Sequence, residues 1–192
     1  MSELQLQHRD DKKQTLGWYV LVSYYEGMPE KIYSKIKSHT IEPLYWNTQL
    51  NDLIKFSPLI IQLKDNTDEL LRSISAQHSL YFADNQKKSL EQITTWFRTR
   101  LNILIDNKKG IFHYYHPIVA SYFFSESSIK DTADWLAPFW GIQYLEQQVG
   151  KTSKWVFRHG KNNVTEKSQP WKMRESQIKS LIQKYRDETG TQ

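Results

Sequence analysis

Short, unbroken apolar runs alternate along this chain with segments in which apolar residues recur every three or four positions. Gly17 to Tyr25 (GWYVLVSYY) is continuously apolar and rich in β-branched and aromatic residues, the pattern of a buried strand. Gly27 breaks it. Pro29 then suits the first turn of a helix reaching about Ser38, with Ile32, Tyr33 and Ile36 on one face. Glu42 to Asn47 (EPLYWN) reads as a loop exposing a Tyr–Trp pair, followed by a short helix around Gln49 to Lys55. Pro58 precedes a strand over Leu59 to Leu63. Asp65-Asn66-Thr67 offers N-cap chemistry for a helix to about Ala76, with Leu70, Leu71 and Ile74 inward. Leu80 to Ala83 is a further strand.

In the second half, Ser89 and Gln92 have the spacing of a capping box. They open an amphipathic helix with Leu90, Ile93, Phe97 and Leu101 at helical spacing. Two apolar runs, Asn102 to Ile105 and Ile111 to Tyr115, flank Asp106 to Gly110, whose composition predicts a hairpin turn. Pro117 begins a helix through Phe124, and Ser127 or Ser128 caps another ending near Leu136. Gly141 to Val149 and Lys154 to His159 form a predicted strand pair around Gly150. Residues 160–170 are a polar linker. Residues 171–187 form a last helix with an Ile178, Leu181, Ile182 and Tyr185 stripe.

The expected fold is α/β to α+β: a mixed β-sheet flanked by helices, with a small C-terminal helical lobe. Three regions follow: a flexible tail over 1–15, an α/β domain over 16–150, and a basic C-terminal segment over 151–192. The net charge of +5 belongs to that last region, which holds ten Lys/Arg against four Asp/Glu. Such a surface is first of all a solvated basic face; it also suits an acidic protein partner, and the remaining alternative is a nucleic-acid-binding module. The stripe on the last helix argues for packing, which makes the nucleic-acid reading the weaker one.

There is no cysteine, which excludes disulfides, thiolate metal sites and a cysteine nucleophile. The polar first dozen residues and the absence of a long apolar run predict a chain that neither crosses a membrane nor carries a secretory signal, and so stays in the cytoplasm. The 7 glycines are scattered and form no phosphate-cradling loop, and no nucleophile elbow is present. Of the histidines, only His113 and His116 are near neighbours, and their odd spacing would place them on opposite faces of a strand. Glu42, Asp52, Asp84 and Asp106 lie at apparent loops or element ends. A hydrolase would need a site assembled from such distant acids. No cofactor, metal or catalytic residue is expected.

Aromatic clusters are the stronger signal: Tyr24-Tyr25, Tyr45-Trp46, His113-Tyr114-Tyr115-His116, Tyr122-Phe123-Phe124, and Trp135 to Trp140. Adjacent strand residues face opposite ways, so in Tyr24-Tyr25 and Tyr114-Tyr115 one member can fill the core while the other is either covered by a helix or lines a partner-binding groove.

The order of these blocks resembles a known family. EPLYWNTQLNDLIKFSPLIIQL (Glu42 to Leu63) is similar to its Pro-Leu-Tyr block leading into a hydrophobic strand. LEQITTWFRTRLNILIDNKKGIFHYYHPIVASYF (Leu90 to Phe123) is similar to its helix ending in Arg, Gly turn, and Tyr-Tyr-x-Pro helix start. Phe139-Trp140-Gly141 and the helix containing Gln177 and Leu181 resemble later blocks. Where that family commonly has Asp and Arg flanking the proline, this chain has His116 and Ile118. The resemblance spans about residues 16–187 and is to the effector adaptor/chaperones of bacterial type VI secretion, of the Tap or TEC type. It implies a non-enzymatic protein that binds a toxic effector and helps load it onto the C-terminal region of the VgrG spike.

On that reading the partner groove lies where the α/β domain meets the C-terminal elements. Tyr45, Trp46, Tyr115, Trp135 and Trp140 are the expected apolar anchors. Lys151, Lys154, Arg158, Lys161, Lys172, Arg174 and Lys179 are the expected basic contacts.

Overall fold

The GWYVLV segment forms β1 (Gly17–Val22), and its strict alternation divides the interior in two. Tyr19 and Leu21 enter one apolar core; Trp18, Val20 and Val22 enter a second on the other side. A strand covered on both faces needs no polar positions, which is why the run is continuous.

In this computed structural model the residues described are 4–36, 40–65, 68–146, 152–160, 171–173, 178–179, 181–183 and 186–187. Next to β1 lie α1 (Met28–Tyr33), β2 (Ile41–Pro43), β3 (Leu59–Gln62) and β4 (Ser79–Asp84). Then come α2 (Leu90–Arg100), β5 (Asn102–Ile105), β6 (Lys108–Ile111), α3 (Pro117–Glu126) and α4 (Ile129–Leu136). The chain continues through β7 (Gly141–Glu146), β8 (Lys154–His159) and β9 (Trp171–Met173). One six-stranded sheet runs β2-β3-β1-β4-β7-β8, and a smaller sheet runs β6-β5-β9. This is the expected α+β mixture. Its large sheet is wholly antiparallel rather than mixed; parallel pairing occurs only in the small sheet, between β5 and β9.

One face of the large sheet packs against α2, α3 and α4, where Trp96, Phe97, Phe139 and Trp135 surround Phe82 and Tyr144. The other face is covered by α1, Leu70, Ile74 and the N-terminal segment. Residues 4–15, expected to be a loose tail, are therefore part of the fold. Leu6 is buried, the Trp18 indole donates to the Gln7 carbonyl at 2.8 Å, and Asp10 accepts from the Lys12 and Gln14 amides. Leu4 and Leu6, two apolar residues among polar ones, make too short a pattern for the sequence to mark, yet both pack on the second core.

Several local expectations hold. Ser89 and Gln92 form the reciprocal capping box that starts α2. Asp106 and Asn107, both at positive φ, make the two-residue turn between β5 and β6. Others shift. The helix over 65–76 is a short 3-10 segment, Glu69–Arg72, capped by Asp68 rather than by residues 65–67. The strand predicted to reach Tyr115 ends at Ile111, because Pro117 must start α3 and the chain turns through 113–116 to reach it. The helix predicted from residue 171 begins instead as β9, drawn into parallel pairing with β5. Helical residues 178, 179 and 181–183 follow, with Ile178 and Leu181 packed on the main core. Of the basic segment, β8 lies in the large sheet and β9 in the small one.

Candidate protein-binding surface

The end of the large sheet where β1 and β2 finish and β3 and β4 begin gathers four irregular segments. The ladders fix this: Val22 pairs with both Leu59 and Ser79, and Pro43 pairs with Leu59. The segments are 23–27, 44–58, 75–78 and, docked onto them, the turn 113–116.

The 44–58 loop is closed at its neck by two hydrogen bonds. The Leu44 amide donates to the Pro58 carbonyl at 2.8 Å, and the Tyr45 amide to Ser57 Oγ at 2.9 Å. Just beyond the neck the chain places Trp46 on one side and Phe56 on the other. Phe56 ends the 3-10 helix Asn51–Phe56. The segment kinks at Leu53, whose backbone is not helical, and both Leu53 and Phe56 are exposed. Tyr24, the second residue after β1, meets Phe56 edge-to-face with centroids 5.3 Å apart. Lys55 Nζ sits 5.0 Å from the Phe56 ring centroid. The exposed fractions are 51% for Trp46, 48% for Leu53, 45% for Phe56 and 38% for Tyr24. Four large apolar side chains at one sheet end, each with a third or more of its surface in water, form a patch of the kind that binds protein.

Beneath the patch runs a polar chain. The Tyr45 and Tyr115 hydroxyls are 2.6 Å apart, and the Tyr115 hydroxyl lies 2.5 Å from His113 Nδ1. The Ser23 hydroxyl donates to the Tyr115 carbonyl at 2.5 Å, while the Ser23 amide donates to the His78 carbonyl at 2.8 Å. All four segments are thereby tied together. Burial raises the Tyr45 hydroxyl above the ordinary phenol value; burial and the neighbouring Tyr45 hydroxyl do the same to Tyr115. Both stay neutral and serve as hydrogen-bonding struts. His78 and His116 are held below the usual imidazole range, His78 by burial and His116 by burial followed by charge on His78 and His113. His78, far upstream in sequence, thus joins the His113/His116 pair, which no local spacing revealed. Among the described residues no three His, Asp or Glu side chains converge to hold a metal ion.

The expected anchors divide sharply. Trp46 is exposed as anticipated. Tyr45, Tyr115, Trp135 and Trp140 are buried, and the expectation that they line a groove is corrected. Trp135 on the inner side of α4 is fully enclosed, with the Trp96 and Tyr114 ring centroids 5.3 and 5.2 Å away. Trp140 fills the second core against Phe157, at 5.0 Å. A chain this rich in aromatics uses most of them to fill volume between a sheet and its helices.

The meeting place of the main domain with the C-terminal elements does contain a cavity of about 410 Å³ between the small sheet and α3 and α4. Its aromatic lining is Phe123 and Trp171 rather than the anchors expected, and Lys172 reaches it. Lys154 is exposed and paired with Glu146 at 3.3 Å. Arg158 is half-buried beside Tyr144. Lys151, Lys161 and Arg174 lie outside the described residues; Lys179 is exposed. Leu53 and Phe56 were missed because nothing in their local spacing separates them from core positions, and only the packing leaves them in water.

Among the described residues no helix is long and apolar enough to cross a membrane. No curated protein and no solved structure matches the chain. The later blocks of the sequence resemblance, from Trp135 onward, lie beyond residues 18–133, which a family profile matches. A family profile described as a domain of unknown function, DUF4123, matches residues 18–133, from the start of β1 through most of α4, and the chain belongs to that family.

Proposed function

We propose that the protein is a non-enzymatic adaptor of bacterial type VI secretion that holds a toxic effector and helps load it onto the VgrG spike. One observation carries the reading: Tyr24, Trp46, Leu53 and Phe56 are exposed together on loops that the Tyr45–Tyr115–His113 chain fixes in place. A patch held rigid before binding loses little conformational entropy when a partner arrives, which favours stable capture over transient contact. An adaptor needs such a surface and needs no acid–base pair or metal. The sequence resemblance across Glu42 to Leu63 and Leu90 to Phe123 supplies the secretion context, and Trp46 and Phe56 both fall in the first of those blocks.

The test is affinity capture with tagged protein from a bacterium that carries the gene, comparing the native chain with the Trp46→Ala/Phe56→Ala double variant. The expected result is recovery of a VgrG-type spike protein and one toxin by the native chain, and loss of the toxin by the variant. Equal recovery of the toxin by both proteins would discard this surface. Recovery only of nucleic-acid-dependent material that nuclease removes would discard the adaptor reading.

A further inference from the structure

The strand β8 closes one edge of the large sheet: it pairs with β7 on one side, and among the described residues no strand pairs with the other. The register shows which main-chain groups that edge presents. Gly160 N–H donates to the Trp140 carbonyl at 2.8 Å, so the pair Trp140/Gly160 is of the hydrogen-bonded kind. Bonded and non-bonded pairs alternate along an antiparallel ladder. The pairs Ile142/Arg158 and Tyr144/Val156 are therefore bonded, and the N–H and C=O groups of Phe157 and His159 turn away from β7. An edge of this kind is a template for one more strand.

Side-chain features beside the edge narrow what that strand can be. α4 packs next to β8, and between them opens a cavity of about 310 Å³ lined by Phe124, Ile129, Thr132, Phe157 and Arg158. Its lining includes no carboxylate. Ile129, 88% exposed, stands at its rim and offers apolar surface to whatever enters. Residues 151–161 (KTSKWVFRHGK) contain four Lys/Arg and no acid. Lys154 is already paired with Glu146, and Arg158 is among the residues that line the cavity. Two copies of β8 paired edge to edge would bring these cations together, which disfavours a second copy of this chain as the occupant.

We propose that β8 is a strand-addition site for an extended segment of another protein that alternates apolar and acidic side chains. The segment pairs with the outward main-chain groups of Phe157 and His159. One apolar side chain enters the cavity against Ile129 and Phe124, and an acidic neighbour meets Arg158. Any protein that offers such a segment qualifies, so the proposal stands apart from the adaptor reading and from the Trp46 patch.

The experiment measures binding of a fluorescein-labelled octapeptide alternating leucine and glutamate to the full-length protein, by anisotropy. Three comparisons decide it. The same peptide N-methylated at two consecutive central amides, which blocks both of its edges, cannot add as a strand and should lose at least about tenfold in affinity. A leucine–lysine version should bind about tenfold more weakly or worse. Ile129→Ser, at a position too exposed to affect folding, should weaken binding several-fold, and Arg158→Gln should remove the preference for glutamate over lysine. The Trp46→Ala/Phe56→Ala variant should bind the octapeptide as the native chain does. Equal binding of the N-methylated peptide would overturn the strand geometry. Amides of Phe157 and His159 already protected from hydrogen exchange in the free protein would show the edge to be covered and overturn the site. A dimer that Ile129→Ser dissociates would assign the edge to a second copy and overturn the proposal equally.

Discussion

The hydroxyl of Tyr45 lies 2.6 Å from that of Tyr115, joining the loop that follows β2 to the turn that precedes α3. Both hydroxyls are buried; the Tyr45 hydroxyl loses this partner without Tyr115, whereas the Tyr115 hydroxyl also meets His113 Nδ1. Tyr45→Phe or Tyr115→Phe should each cost about 1–2 kcal/mol of stability. Because the two act through one bond, the double variant should cost clearly less than the sum of the singles. Urea denaturation of the four proteins measures this, and strict additivity would show that the bond contributes nothing.

The two tryptophans offered by the sequence as equivalent anchors should behave oppositely. Trp135→Ala empties a fully enclosed site and should destabilise the fold by about 3–5 kcal/mol. Trp46→Ala, at an exposed site, should shift stability by no more than about 0.5 kcal/mol. Thermal melts of both variants check the assignment. A large loss for Trp46→Ala would mean that its ring supports the loop rather than awaiting a partner.

Stability should fall in mild acid. Partial desolvation holds half-buried His78, and His116 with its surface still open to water, below the ordinary imidazole value of 6.5 in the folded protein, with nearby histidine charge adding to the effect at His116. Between that value and their lower folded values, the unfolded chain binds protons that the native chain refuses. The stabilising contribution is therefore complete above about pH 6.5 and is lost as the pH drops below it. Melting temperatures followed from about pH 7.5 to about pH 5 should decline, and His78→Gln/His116→Gln should flatten the decline. An unchanged slope in that variant would place the acid sensitivity elsewhere.

A glycine just beyond β8 locks the edge strand onto the core. A Cβ at Gly160 would collide with the Phe139 carbonyl oxygen, a backbone atom that cannot swing aside. Gly160→Ala should cost about 1–3 kcal/mol. Gly17→Ala, where a Cβ would sit at an ordinary 3.7 Å from the Asp84 carbonyl, is the matched control and should be close to neutral. Equal stability of the two variants would show that the end of β8 yields freely.

What the sequence determined by itself is local. Unbroken apolar runs at Gly17 to Val22 and Leu59 to Ile61 marked strands covered on both faces, because a sheet between two layers has no polar side to record. Ser89 with Gln92, Asp106 with Asn107, and Pro117 fixed a helix start, a hairpin turn and another helix start, because each satisfies backbone groups or sets a dihedral within a few residues. Tertiary structure decided everything that depends on which surface finally meets water. Trp135 and Trp46 are the same residue type in similarly aromatic surroundings, yet one is enclosed by Trp96, Tyr114 and Phe124 while the other stands on a loop outside the sheet. Residues 171–173 carry the composition of a helix and became a strand because β5 offered an open edge. His78 joined His113 and His116 only through the folding of distant segments to one end of the sheet. Burial, edge pairing and long-range polar contacts are properties of the assembled chain, and no window of neighbouring residues contains them.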